Sequence, residues 1–241
     1  CKKRGWCRII MESEALIRDD WLTDQLGKPA WRLESHAEVP TGKAWINAPA
    51  FIQTRTSATD PKRCRELFFA GFNLINTAIS LGRIGPTQTP RNIFDVRLAR
   101  KEDAPLVTKI AGRVFTFDRF HADPKIPNTI ADRIKANWAE NYFQGQRGEW
   151  MIVGYLNGKV AGFLQLLKKN SHVVIDLIGV EKQARGTGLA AEMIAYSTTV
   201  CQSQVPMKVG TQLTNTPSIR FYEALGFKIE AAYHEFHYHV S

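Results

Sequence analysis

Paired cysteines, a membrane-length apolar run and the two commonest nucleotide-binding fingerprints are all missing from this 241-residue chain. Cys1, Cys7, Cys64 and Cys201 form no Cys-x-x-Cys pair and have no metal-ligand spacing. That argues against a disulfide frame or a metal site and fits reduced thiols in a cytoplasmic protein. No apolar run approaches the roughly 20 residues that a membrane-spanning helix needs, so no membrane partner is expected. No Gly-Lys-Ser or Gly-Lys-Thr occurs, which removes the triphosphate-binding loop. The turn Gly186-Thr187-Gly188 has no third glycine, and the next strand ends at Thr211-Gln212 without an acid. A dinucleotide fold is therefore disfavoured. What is plentiful is positive charge, 32 basic against 23 acidic residues for a net of +9. The excess points to anionic ligands; because it is scattered and no nucleic-acid-binding motif accompanies it, phosphorylated small molecules are favoured over nucleic acid.

The first half carries no recognisable chemistry. Residues 1–11 are set apart as a leader or tail, and residues 12–83 are expected to form a small α/β domain. Trp31-Arg32-Leu33 and Ala44-Trp45-Ile46 read as strand fragments around the turn Pro40-Thr41-Gly42. Lys62 to Ala70 reads as a helix closed by Gly71, and Phe72 to Leu81 as a strand. Gly85 to Pro90 has linker composition, which places a domain boundary at 84–91. Arg65 to Leu74 parallels Arg220 to Ile229 at a constant offset of 155, with helix, glycine cap, aromatic and strand in the same order. The parallel suggests a degenerate copy of the second half; a shared local helix–strand design is the alternative.

Residues 92–241 read as one complete α/β module. Strands are predicted at 94–98, 150–155, 159–167, 173–180, 205–212 and 228–238, and helices at 101–115, 129–143, 189–200 and 217–225. Asn157-Gly158 is a hairpin turn, and Asp118 to Asn128 a polar loop. The strand Val173–Val180, the glycine turn and the following helix leave backbone N–H groups aimed at one point, an arrangement suited to a phosphate.

Gln183-x-x-Gly186-x-Gly188 after an apolar strand, followed by Asn215-x-x-Ser218-x-x-Phe221-Tyr222-Glu223-x-Leu225-Gly226-Phe227, resembles the GNAT superfamily of CoA-dependent N-acyltransferases. The resemblance covers roughly Asn92 to Val240. It implies a mostly antiparallel, twisted and splayed mixed sheet flanked by helices, here with a smaller degenerate GNAT-like amino-terminal domain. It also implies that Gln183, Ala184, Arg185, Gly186, Thr187 and Gly188 hold the CoA pyrophosphate. Backbone groups of Leu177, Ile178, Gly179 and Val180 would pair with pantetheine, with Asn215 near that arm. A narrower resemblance, carried by Arg119-Phe120-His121-Ala122-Asp123, Ala131-Asp132-Arg133, Trp138-x-x-Asn141 and Thr211-Gln212-x-x-Asn215-Thr216, is to the WecD-type TDP-fucosamine acetyltransferases. It implies that Arg119, Phe120, His121, Asp123, Trp138 and Gln212 meet a nucleotide-linked amino sugar.

Each of these residues has a plainer reading. Tyr222 matches the family's acid that protonates the leaving thiolate, and could otherwise be a core tyrosine. Asn215 could simply cap a helix; Arg185 and Thr187 could be exposed, although Thr187 could donate its hydroxyl to phosphate. Asp176, a carboxylate inside an apolar strand, is either the general base or a satisfied group at a strand bulge. His121 could take the amine proton or merely touch substrate, and a water chain is the third alternative. Phe120 and Trp138 could stack on the ligand, although an amphipathic helix often buries its tryptophan. His234, His237 and His239 are read as surface residues rather than metal ligands.

The expected function is acyl transfer, most simply of acetyl, from acyl-CoA to a nucleotide-sugar amine in a ternary complex. No metal is expected, and sheet-edge or strand-exchange pairing would suit a homodimer. The competing acceptors are an aminoglycoside, a polyamine or a protein amino terminus, and the competing donor is a longer hydroxyacyl-CoA. Cationic aminoglycosides fit a +9 chain less well than a nucleotide diphosphate does. A non-catalytic CoA-binding module is the reading from another class, weakened by Tyr222.

Overall fold

The structure, a computed structural model, describes residues 15–39, 49–85, 90–201 and 206–240. In the first half the order is β1 (Leu16–Arg18), α1 (Asp20–Leu26), β2 (Ala30–Leu33), β3 (Ala50–Ser57), α2 (Pro61–Phe69) and β4 (Asn73–Arg83). The second half opens with β5 (Val96–Leu98), α3 (Ala104–Val114), α4 (Arg119–Ala122), α5 (Asn128–Phe143), β6 (Trp150–Leu156) and β7 (Lys159–Lys168). It closes with β8 (Val173–Val180), α6 (Leu189–Cys201), β9 (Met207–Gln212), α7 (Thr216–Ala224) and β10 (Lys228–Val240). The expected strand at Ala44–Ile46, its turn and half of the expected linker lie outside the described residues.

Two compact units divide the chain, and not at 84–91. One takes the described residues up to Thr77 and those from Ala232; the other runs from Ala78 to Ala231. β4 and β10 are long strands of 11 and 13 residues, so each serves one unit with one part of its length and the other unit with the rest.

In the first unit β1 pairs antiparallel with β2, β2 parallel with β3, and β3 antiparallel with β10 from Ser57↔Tyr233 to Ala50↔Val240. Trp31, Leu33, Ile52, Leu67, Phe72 and Phe236 form its core. Asp19 and Asp60 cap α1 and α2 by accepting from Leu22 N and Arg63 N, both at 2.9 Å, as helix amino termini require. α1 and β3 were not anticipated.

In the second unit the sheet runs β5-β6-β7-β8-β9-β4, antiparallel except for β8 and β9. Val107, Ile110 and Ala111 of α3 and Ala139 of α5 pack with Met151, Val153, Phe163 and Leu177. α6 covers the opposite face, where Gly154 and Gly162 make room: a Cβ on Gly154 would lie 2.7 Å from Leu189 Cδ1. The polar 118–128 segment contains one unexpected turn of helix, α4, capped by Asp118.

The two halves repeat each other in detail. Phe72 N donates to Leu67 O and Phe227 N to Tyr222 O, both at 3.0 Å and 155 residues apart. Ser57 faces Tyr233 and Gln212 faces Ala78; adding 155 to 57 gives 212, and subtracting it from 233 gives 78. Each unit therefore builds the same antiparallel pair, using the last strand of the other half. Shared registers favour the degenerate-copy reading over coincidence of a local motif.

β8 and β9 stay together only from Val173↔Met207 to Ile175↔Val209. Beyond that point β8 follows β7 as far as Gly162↔Val180, while β9 follows β4 to Ala78↔Gln212. Two central parallel strands thus part company, and a gap opens between their carboxyl ends.

Candidate active site

The loop after β8 sits at the mouth of that gap. A 3₁₀ turn at Lys182–Ala184 buries Ala184 and leaves Gln183, Arg185, Gly186, Thr187 and Gly188 exposed. Gly186 and Gly188 adopt φ of 75° and 99°, a region that side chains disfavour. Nothing crowds a Cβ at Gly186, so glycine is needed there for the backbone, not for space. Thr187 donates its hydroxyl to Ala184 O at 2.9 Å and accepts from Leu189 N at 3.4 Å. Its one hydroxyl proton closes the loop. Glu192 in the first turn of α6 is buried and accepts from Arg91 N at 3.2 Å and Asn92 N at 2.7 Å.

A cleft of about 170 Å³ lies beside this turn, bordered by Thr187, Gly188, Arg83 and Arg91. Arg83 is an addition that the sequence reading missed. It is buried, donates to Leu225 O at 3.1 Å and stacks over Phe227, and burial pulls its guanidinium below its ordinary range.

Leu177 to Val180 remain paired with β7 on one side and, among the described residues, have no ladder partner on the other. Leu177 points into the core, and Gly179 admits Val114 and Phe163, whose atoms would lie 2.7 and 3.0 Å from a Cβ. Asn215 caps α7 by accepting from Ser218 N at 3.4 Å, and its amide donates to Thr211 Oγ1 at 3.1 Å. Two turns along that helix Tyr222 is 3% exposed, its ring against Phe221 at 5.2 Å and Phe227 at 5.4 Å. Burial raises its phenol well above the ordinary range, so the group is a neutral proton donor at physiological pH.

The remaining candidates form a polar network. His121 contacts Asp118 through Nδ1 at 2.6 Å and Asp132 through Nε2 at 3.1 Å. Burial alone would lower the imidazole pKa, but the hydrogen bond and charge of Asp118, with those of Asp132, outweigh it and raise it. Both ring nitrogens face carboxylate oxygens, an arrangement that favours a role for His121 in the polar network over that of a general base. Burial would likewise raise the Asp118 carboxyl, yet its His121 hydrogen bond and the Lys135 charge hold it at about 2. Lys135 lies over Trp138 at 4.9 Å, and the Trp138 indole donates to Asp176 at 2.9 Å. Arg147 donates to the same carboxylate through Nε at 2.6 Å and Nη2 at 2.7 Å. Asp176 is the bulge residue of β8, because Gln165 faces Leu177 and Leu166 faces Ile175. Of its two readings, the satisfied bulge carboxylate is the one this arrangement favours. Its partner is 29 residues away, invisible to sequence.

Three further expectations need correction. Phe120 is 1% exposed beneath the Arg119 guanidinium, 4.5 Å from its ring centroid, and is core rather than a stacking platform. Asp123 is buried and accepts from Lys125 N at 2.9 Å, so it closes its own turn. His237 is no surface residue: it is fully buried, edge-on to Phe51 at 4.7 Å. Arg119, Trp138 and Gln212 keep partial exposure. No helix among the described residues is long and apolar enough to cross a membrane.

Comparison with known proteins agrees with this geometry. Residues 116–227 match the model of the acetyltransferase (GNAT) family. The chain is 32% identical over 146 residues to the spore coat polysaccharide biosynthesis protein SpsD of Bacillus subtilis, which covers 60% of this chain and 50% of that protein. It is 23% identical over 184 residues to a dTDP-fucosamine acetyltransferase of Escherichia coli O6:H1, covering 75% and 78% of the two chains. It thus spans half the length of the first relative and about three quarters of the second. A GCN5-related N-acetyltransferase structure from Sphaerobacter thermophilus superposes with a TM-score of 0.55 at 14% identity, over 80% of this chain and 60% of that one, a likeness of fold alone. Glycine turn, parted strands and family match converge on one stretch of the chain, residues 116–227, which is similar to the acetyltransferase (GNAT) family.

Proposed function

We propose that this chain transfers an acyl group, acetyl first among them, from acyl-CoA to the amine of a nucleotide-linked amino-dideoxysugar for surface polysaccharide biosynthesis. The observation that carries the donor half is the parting of β8 from β9 after Ile175, directly beside the Gly186-Thr187-Gly188 turn. Backbone N–H groups of that turn would hold the pyrophosphate. The open edge Leu177–Val180 would take the pantetheine arm as a strand takes a neighbour. The acceptor half is supported by the names of the two relatives, one in polysaccharide biosynthesis and one acting on a dTDP-amino sugar.

Transfer would proceed by direct attack. The amine nitrogen bonds to the thioester carbonyl carbon, the C–S bond breaks, and the thiolate takes the Tyr222 phenolic proton. Products are the amide and free CoA. Asp176 is paired with Arg147, and both ring nitrogens of His121 face carboxylates, so the amine proton is assigned to a water chain. The reaction is placed in the cytoplasm. The test is release of free thiol from acetyl-CoA with a panel of TDP-amino-dideoxysugars. Release with aminoglycosides or polyamines and none with the sugars would reassign the acceptor.

A further inference from the structure

We propose that Arg147, acting through Asp176, is the positioning residue that sets where β8 leaves β9; the consequence for acyl-CoA rests on the function proposed above. A β-bulge leaves one residue out of the ladder and sharpens the local twist. In β8 that residue is Asp176, and the ladder to β9 ends one residue earlier, at Ile175. Bulge and departure therefore coincide.

Arg147 holds both strands of the bulge. Its guanidinium makes a two-pronged contact to Asp176, whose side chain is 7% exposed. Its carbonyl accepts from Gln165 Nε2 at 3.3 Å, and Gln165 stands on β7 across from Leu177. Arg147 itself is fixed between Gly145 and Gly148, with its N–H donated to Asn141 O at 3.2 Å at the end of α5. Trp138 completes the clamp: its indole donates to Asp176, and its ring lies 4.9 Å from the Arg147 guanidinium. Without Arg147 the Asp176 charge would be buried with, among the described residues, only the indole for a partner. Rearranging the bulge so that the carboxylate reaches water would relieve that, and the donor gap would change with it.

The test compares the wild-type chain with Arg147→Met, Asp176→Asn, the double variant and Arg147→Lys. Three readouts are needed: acetyl-CoA affinity by calorimetry, thermal midpoint, and amide exchange across 176–180. Both single variants and the double should weaken acetyl-CoA binding by about tenfold to a hundredfold, the scale of ångström-level misplacement. The double orphans no charge, so its thermal midpoint should return toward wild type while its affinity stays low. Arg147→Lys keeps the charge but loses the fork, and should recover part of the affinity. Affinity that recovers together with stability in the double would reduce the pair to a structural role and overturn the proposal. So would a turnover defect in Asp176→Asn without loss of acetyl-CoA affinity, which is the signature of a base. If the wild type binds no CoA, altered exchange at 176–180 in the variants still supports the clamp and places the failure in the acyl-CoA reading. Unchanged exchange there refutes the clamp itself.

Discussion

Replacing Asp118 by asparagine tests the charge network most directly. The carboxylate side chain is 9% exposed and titrates at about 2 against an ordinary value of 3.8. A depression of nearly two units corresponds to about 2 kcal/mol of folding stability. For a lowered carboxylate, that stability is fully present above the unfolded value and is lost as pH falls through the folded one. The difference in unfolding free energy between wild type and Asp118→Asn should therefore be about 2 kcal/mol near pH 5. It should shrink between pH 4 and pH 2. His121 shifts the other way: its folded value is raised, so its contribution is complete below the unfolded value of 6.5 and fades as pH rises through the folded value. The difference curve should thus be highest between about pH 4.5 and 6. Near pH 5 the expected fall in thermal midpoint is about 4–8 °C for a chain of this size. Urea unfolding across pH 2.5–8 measures the curve, and the imidazole titration by NMR should move down toward its ordinary value in the variant. A flat difference curve, or an unmoved imidazole, would show that Asp118 and His121 are not a charged pair.

Tyr222→Phe should lower kcat by about a hundredfold or more while acetyl-CoA affinity stays nearly unchanged; equal turnover would remove the phenol from the mechanism. Gly188→Ala places a side chain at φ 99°, in ordinary contact with Phe94 Cε2 at 3.8 Å, so it should cost about 1–3 kcal/mol of backbone strain or shift the turn. Weaker acetyl-CoA binding by calorimetry is the expected result, and unchanged affinity would clear the turn of a phosphate role. Gly154→Ala drives a Cβ to 2.7 Å from Leu189 and should destabilise by about 1–3 kcal/mol in urea melts. A neutral result would mean that α6 can back away from β6 at no cost.

Local patterns carried much of the fold. β8 was legible from end to end because an apolar run from Val173 to Val180 is bounded by polar residues. α7 was legible through its Asn215 cap and Gly226 stop. β3 went unread because Gln53, Thr54, Arg55 and Thr56 look polar, although Thr54 and Thr56 are buried. α4 was hidden because a four-residue helix has no period to detect and depends on its Asp118 cap. Asp176 was marked as a buried charge that required an explanation, and the bulge was one of its two readings; the partner, Arg147, was beyond reach.

By itself the sequence determined the chemistry that depends on neighbours in the chain. The glycine turn needs positive φ, the helix start needs free N–H groups, and the Tyr222 helix needs its caps; each is encoded within a few residues. Tertiary structure decided the rest. It set which carboxylates are spent on cations, where two parallel strands separate, and which half supplies the last strand of each unit. Those properties arise from pairings between residues far apart in the chain, such as Arg147 with Asp176 and Ala78 with Gln212. Burial then fixes the charge states, because a group's ionisation follows its surroundings rather than its position in sequence.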